Sequence, residues 1–142
     1  MPEIDYVVLA DYVRQDAGMI HIMGAGIDTF YIPEGQPVAV PVGLAARITF
    51  TSRDEVGAEH SIRLSFQTSA GDELLAAEQN FRTPAPAPGV PEHWRTSAGI
   101  AFRFPLPIPG HGDYRLQVTL DDDPRLSRTV DVRAVAPPTG QS

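Results

Sequence analysis

Four histidines, at positions 21, 60, 93 and 111, and three consecutive aspartates, Asp121, Asp122 and Asp123, are the side chains of this sequence best equipped for chemistry. A histidine with a carboxylate beside it can serve as a general base, and His60 closely follows Asp54, Glu55 and Glu59. What such a base would activate is missing. There is no Gly-x-Ser-x-Gly elbow, cysteine is absent, and serines 52, 61, 65 and 69 fall in turns or on strand faces without an activating neighbour. His60 also continues the inward series Ile62, Leu64, Phe66, which reads as a rim histidine hydrogen-bonded to a loop. A hydrolase with an unfamiliar His/Asp site stands as an alternative. The histidines share no metal-ligand spacing of the H-E-x-x-H kind. Gly24-Ala-Gly26 lacks the third glycine and the following helix of a dinucleotide loop. No cofactor is expected.

Hard oxygen ligands are a separate matter. Asp121, Asp122 and Asp123, joined by Asp113 if the last hairpin brings it to the same end, could face calcium as the loops of C2-type sandwiches do. Calcium takes six to eight oxygens, usually drawn from several loops. Three acids before a proline also make an ordinary solvated turn. A small-ligand or calcium-binding sandwich using loops at one end is therefore the first alternative.

Recognition chemistry is better supplied. His93, Trp94 and Arg95 follow a proline-rich stretch, and Trp with Arg is the pairing enriched in interface anchors. Trp94 could equally close one end of the fold as a lid. Met19, His21 and Met23 alternate with Ile20 and Ile22 and so face the other way, as a soft contact surface or as residues covered by the first strand.

Charge narrows the partners. The sequence carries 18 acids against 11 bases for a net charge of -7, and every base is an arginine. Scattered arginines in an acidic chain argue against nucleic acid and against anionic membranes. The abundance of Ala, Pro, Gly and Arg looks like the codon usage of a GC-rich bacterial genome. No apolar run approaches the ~18 residues of a membrane span, and the acidic N-terminus does not read as a secretory signal. With no cysteine, the expectation is a cytoplasmic protein.

The elements that must position these residues are strands. Val42, Leu44, Ala46, Ile48 and Phe50 alternate with Gly43, Ala45, Arg47 and Thr49, and Ile62, Leu64 and Phe66 with Arg63, Ser65 and Gln67. Residues 41–68 read as an antiparallel pair with one wet face. Residues 4–14 are apolar on both sides, suiting a strand covered twice or one that meets a partner. Asp16-Ala-Gly18 turns, and Gly24-Ala-Gly26 marks a bulge or a change of sheet. Ala70-Gly-Asp72 is a tight turn. The following 73–81 is read as a returning strand, although its strong helix formers leave a helix as the alternative. Proline at 105, 107 and 109 removes successive donors along one side, which predicts a protected sheet edge, with polyproline-like coil as the competing reading. Tyr114 to Leu120 and Leu126 to Val135 form a last hairpin about Asp121–Pro124.

Seven to eight short strands at roughly ten-residue spacing, without a helical period, predict an all-β antiparallel two-sheet β-sandwich, immunoglobulin-like or C2-like. The expected organisation is one domain over 1–136 and a disordered C-terminal tail over 137–142. The step Pro109-Gly-His-Gly-Asp-Tyr114 is similar to the tyrosine-bearing start of the penultimate strand of immunoglobulin-like domains. Together with Ala10-Asp11, the segment Gly18 to Gly26 and Val56-Gly-Ala-Glu-His60, it resembles an uncharacterised bacterial family of unknown function, DUF6941-like, over roughly residues 4–135. That resemblance implies a β-sandwich and no known activity. The functional expectation is a non-enzymatic cytoplasmic protein-interaction module, with either a protein partner or self-association through the apolar N-terminal face.

Overall fold

Alternation becomes strand almost wherever it occurs. The computed structural model describes residues 2–16, 19–51, 54, 56–86, 88–91 and 96–138. Its strands are β1 (Glu3–Ala10), β2 (Tyr12–Asp16), β3 (Met19–Met23), β4 (Thr29–Tyr31), β5 (Val38–Phe50), β6 (Glu59–Thr68), β7 (Glu73–Arg82), β8 (Thr96–Ile108), β9 (Gly112–Leu120) and β10 (Ser127–Val135). The fold is all-β, with ten strands where seven to eight were expected. The surplus arises near the N-terminus, where the 4–14 run breaks at Asp11 into two strands of different sheets and short segments such as 29–31 find partners of their own.

Three sheets result: three strands in the order β1-β5-β8, five in the order β4-β10-β9-β6-β7, and the hairpin β2-β3. Pairing is antiparallel except for β4, which runs parallel to β10 with Thr29 opposite Arg133 and Tyr31 opposite Val135. The expectation of a wholly antiparallel fold is corrected at that edge. A second correction concerns residues 41–68. Strands β5 and β6 do not pair with each other: β5 lies between β1 and β8, and β6 between β9 and β7. The acidic connection carries the chain from one sheet to the other. Alternation reports which side of a strand is dry, and that side is the same whether the neighbour lies beside it or across the core.

One buried cluster joins the two larger sheets. Leu44, Ile48 and Phe50 of β5 and Leu106 of β8 share it with Ile62, Leu64 and Phe66 of β6 and with Leu116, Val118 and Leu120 of β9. Each large apolar side chain fully buried there contributes roughly 1.5–3 kcal/mol relative to exposure.

The opposite face of β5 is only partly wet, contrary to the expectation of a solvated face. Gly43 and Ala45 are buried beneath the β2-β3 hairpin; Ala45 belongs to a small second cluster with Ala10 and Val13 that Ile20, Ile22 and Ala101 flank. Contact is close because the sheet has almost no side chain there. A Cβ added at Gly43 would lie 2.7 Å from Val13 Cγ2 and 2.8 Å from the Val13 backbone nitrogen, and one at Gly99 would lie 2.5 Å from Ile20 Cδ1.

Several local readings hold. Gly24 and Gly26 both have positive φ, at 67° and 87°, where the chain leaves the hairpin sheet for the five-stranded sheet. Gly71, at φ 94°, turns β6 into β7, so 73–81 is strand and not helix. Strand β8 is a sheet edge, and Pro105 and Pro107 sit opposite Pro41 and Ala39 of its one strand neighbour among the described residues. Among the described residues no helix is long and apolar enough to cross a membrane. The turn expected at Ala17 and Gly18, and residues 139–142 of the expected tail, lie outside the described residues.

Candidate functional site

Because β2 and β3 are two-residue-period strands paired in register, their side chains sort cleanly. Tyr12 opposes Met23, Arg14 opposes His21, and Asp16 opposes Met19. These six share the outer face, while Val13, Ile20 and Ile22 seat the inner face on Gly43, Ala45, Gly99 and Ala101. Met19 and Met23 are 64% and 66% exposed, and Tyr12 is 37% exposed. The reading of Met19, His21 and Met23 as outward-facing holds, and the first strand does not cover them. Tyr12 belongs with them but was not singled out in the sequence, where it reads as one more member of an apolar run. The guanidinium of Arg103, on β8, stands 5.2 Å from the centre of the Tyr12 ring. A shallow groove of about 430 Å³ lies alongside, lined by Tyr12, Val13, Arg14, Gln15, Ala101 and Arg103. The face is therefore apolar and polarizable at its methionines, with Arg103 beside Tyr12 and Arg14 paired with Asp16 at 3.8 Å.

At one end of β6 a polar array is built around His60. Its Nδ1 lies 2.8 Å from Asp121 Oδ2 and its Nε2 lies 2.9 Å from Thr83 Oγ1. A neutral ring with its proton on Nδ1 donates to the carboxylate and accepts from the threonine hydroxyl. Asp121 Oδ1 accepts from the Ser61 backbone N–H at 3.0 Å. Phe50 and Phe81 flank the imidazole, with ring centres 5.5 and 5.6 Å from it. Carboxylate, imidazole and hydroxyl in series is the order used to activate a nucleophile. Here Thr83 is only 4% exposed, its N–H donates to the Ala58 carbonyl and its own carbonyl accepts from Gly57. The array ties β6, the end of β7 and the β9–β10 turn together, as the rim-histidine reading expected.

The aspartates do not assemble as expected. Asp113 stands at the start of β9 and Asp121 follows its end, which puts roughly 25 Å of strand between them. The expectation of one shared end fails because a strand of this length spans the sheet. Asp121 is committed to His60 and Ser61. Asp122 is exposed with a positive φ of 54°. Asp123 accepts from Arg125 through its backbone N–H at 3.0 Å, its Nε at 3.1 Å and a terminal guanidinium nitrogen at 2.9 Å. The Arg125 side-chain hydrogen bonds, followed by that backbone bond, hold the Asp123 carboxyl below the usual aspartate range. Among the described residues no group of three His, Cys, Asp or Glu side chains is placed to hold a metal ion.

Asp113 instead borders a polar cleft of about 510 Å³ at the other end of the five-stranded sheet, with Asp28, Arg115, Asp131 and Arg133. Arg115 reaches Asp131 at 3.9 Å and Arg133 reaches Asp113 at 3.9 Å, all four side chains being well exposed. Nearby, His111 Nε2 donates to the Ile32 carbonyl at 2.9 Å, and the Tyr114 hydroxyl donates to the Gly110 carbonyl at 2.6 Å while its ring stacks on Phe66. His93, Trp94 and Arg95 lie outside the described residues.

Comparison with known proteins adds a single finding. The model of a family of unknown function, DUF6941, matches residues 5–133. No curated protein matches the chain.

Proposed function

The chain belongs to DUF6941, a family of unknown function, and from that premise we propose that it is a non-enzymatic, cytoplasmic protein-interaction module. Its docking surface is the outer face of the β2-β3 hairpin, with Tyr12, Met19, His21 and Met23 as the contacting residues. One observation carries this reading: two methionines about two-thirds exposed, on a hairpin whose inner face is seated against glycines of the neighbouring sheet. Methionine adapts its shape to a partner, and large exposed apolar side chains grouped on one face mark contact sites. The architecture in this reading is a β-sandwich of immunoglobulin-like type. Its supports are the core shared by the two larger sheets and the Tyr114 hydroxyl bonded back to a residue four positions upstream, in the manner of a tyrosine corner. The absence of cysteine agrees with a reducing compartment.

The test is affinity capture from the native cell with wild-type protein and with a Met19→Glu/Met23→Glu double variant, alongside thermal unfolding of both. The expected outcome is a partner retained by the wild type and lost by a variant of unchanged melting temperature. A partner retained equally by both would overturn the assignment of this face.

The 510 Å³ cleft supports a second reading, a small polar ligand held by Arg115 and Arg133 against Asp28, Asp113 and Asp131. A ligand at ~100 times its dissociation constant stabilises the fold by about 2.7 kcal/mol. Screening polar metabolites by thermal shift would show it, and Arg115→Ala would abolish that shift.

A further inference from the structure

Two stacked sheets have four edges, and three of these are short or interrupted. Strand β8 carries Pro105 and Pro107. Strand β4 is three residues long. Strand β1 is interrupted by a register shift between Ile4 and Tyr6, and its Leu9 carbonyl already accepts from the N–H groups of Gly26 and Ile27. The fourth edge, β7, is ten residues long and contains no proline, and among the described residues β6 is its one strand neighbour. Such an edge is a template for another strand.

Its hydrogen-bonding side can be read from one residue. Both the N–H and the carbonyl of Thr83 bond to the chain just before β6. Backbone groups alternate sides along a strand, so Phe81, Gln79 and Ala77 face β6. Those of Arg82, Asn80 and Glu78 face outward, and the same three side chains are exposed. We infer that β7 pairs antiparallel with β7 of a second copy of this chain, about a two-fold axis through Asn80, to join two five-stranded sheets into one.

This register is selected by charge. With Asn80 opposite its own mate, each Glu78 stands opposite the partner copy's arginine at position 82, giving two cross-strand ion pairs in symmetric positions. Shifting the axis to Glu78 sets carboxylate against carboxylate, and shifting it to residue 79 leaves both charges opposite neutral residues. A direct like-charge pair disfavours the first shift, and opposite-charge pairs favour the proposed register. The outward charges also discourage adventitious strands, so the edge is selective. Arg82 donates one terminal nitrogen to the Gly57 carbonyl at 3.1 Å, on the β6 side, so the pair with Glu78 of the second copy uses the remaining N–H groups of the guanidinium. Pro84 then stops the ladder beyond the ion pairs. The interface is short, so association is concentration-dependent and weak beside an obligate dimer.

Sedimentation and light scattering of the full chain, from low micromolar to near-millimolar protein, provide the test. The wild type is expected to approach twice the monomer mass, and Asn80→Pro to stay monomeric, since the N–H it removes faces away from β6. Glu78→Arg and Arg82→Glu, each alone, are expected to weaken dimerisation at least tenfold at low salt. The double exchange Glu78→Arg/Arg82→Glu restores it. That rescue keeps the test decisive even if Asn80→Pro fails to fold. A wild type that stays monomeric throughout, single reversals without effect, or a failed rescue would each overturn the proposal. So would a dimer abolished by Met19→Glu/Met23→Glu and untouched at β7, which would move self-association to the hairpin face.

Discussion

At the scale of single residues, Asp121 and Asp123 hold the turn between β9 and β10. Asp121 sits at a positive φ of 53°, a conformation that aspartate tolerates better than most residues, and its two oxygens serve the Ser61 N–H and His60. Asp121→Ala leaves both donors without an acceptor and is expected to destabilise the fold by about 1–3 kcal/mol. Asp121→Asn, which keeps one acceptor and tolerates the same backbone, should lose distinctly less in urea denaturation. Two positions on, Asp123 has its carboxyl held below the ordinary value by Arg125. A carboxylate with a depressed pKa in the folded state stabilises the protein above its unfolded-state pKa, and the effect is lost as pH falls through the folded value. Wild type and Asp123→Asn should therefore differ in melting temperature at neutral pH and converge in acid, below the ordinary aspartate range. Arg125 lies at the surface and Asp123 is partly exposed, so salt should shrink the neutral-pH difference.

At the scale of elements, the seat of the β2-β3 hairpin is where small residues matter most. Gly43→Ala brings a methyl within 2.8 Å of the Val13 backbone nitrogen, which has no rotamer to retreat to. Gly99→Ala meets only Ile20 Cδ1 and Cγ1, which can swing aside. The expected order of loss is Gly43→Ala, at about 1–3 kcal/mol, well above Gly99→Ala, by chemical denaturation. None of this was legible in the sequence, where Gly43 and Ala45 occupy the polar phase of an alternating strand and look like exposed positions. Small residues on a solvent-phase face are silent about whether water or a neighbouring backbone fills the space they leave. The dry phases of 42–50, 62–66 and 114–120 were legible because burial across a core imposes a period of two by itself. Strand partnership was not, since it depends on a connection crossing between sheets. That is why 41–68 read as one hairpin. Asp113 and Asp121 were grouped for a different reason: the last hairpin forms as expected, but its first strand is long enough to set the two carboxylates at opposite ends of the sheet. The outward phase of Met19, His21 and Met23 could be read, whereas Tyr12 was hidden because only pairing with Met23 places it beside them.

At the scale of the whole molecule, stability and recognition reside in different layers. The two larger sheets share one core, so neither has an apolar face it can keep dry alone. Leu64→Ala or Leu116→Ala should lower stability by roughly 2–5 kcal/mol in a single transition seen equally by every probe. The hairpin is held otherwise: its fully buried contribution is Val13, set against Ala10 and Ala45 and flanked by Ile20 and Ile22. A two-stranded hairpin on its own is marginal in water. Amides in Tyr12–Asp16 and Met19–Met23 are therefore expected to exchange through local opening at a lower free energy than those of Leu64 and Val118, with little dependence on added urea. Native-state hydrogen exchange by NMR would measure this residue by residue. Protection of the hairpin equal to that of β6 and β9 would make it part of the cooperative core and leave it a rigid contact face. The lower protection expected from its small cluster would make it an element that adjusts to its partner, with methionines supplying the side-chain half of that adjustment and local opening the backbone half.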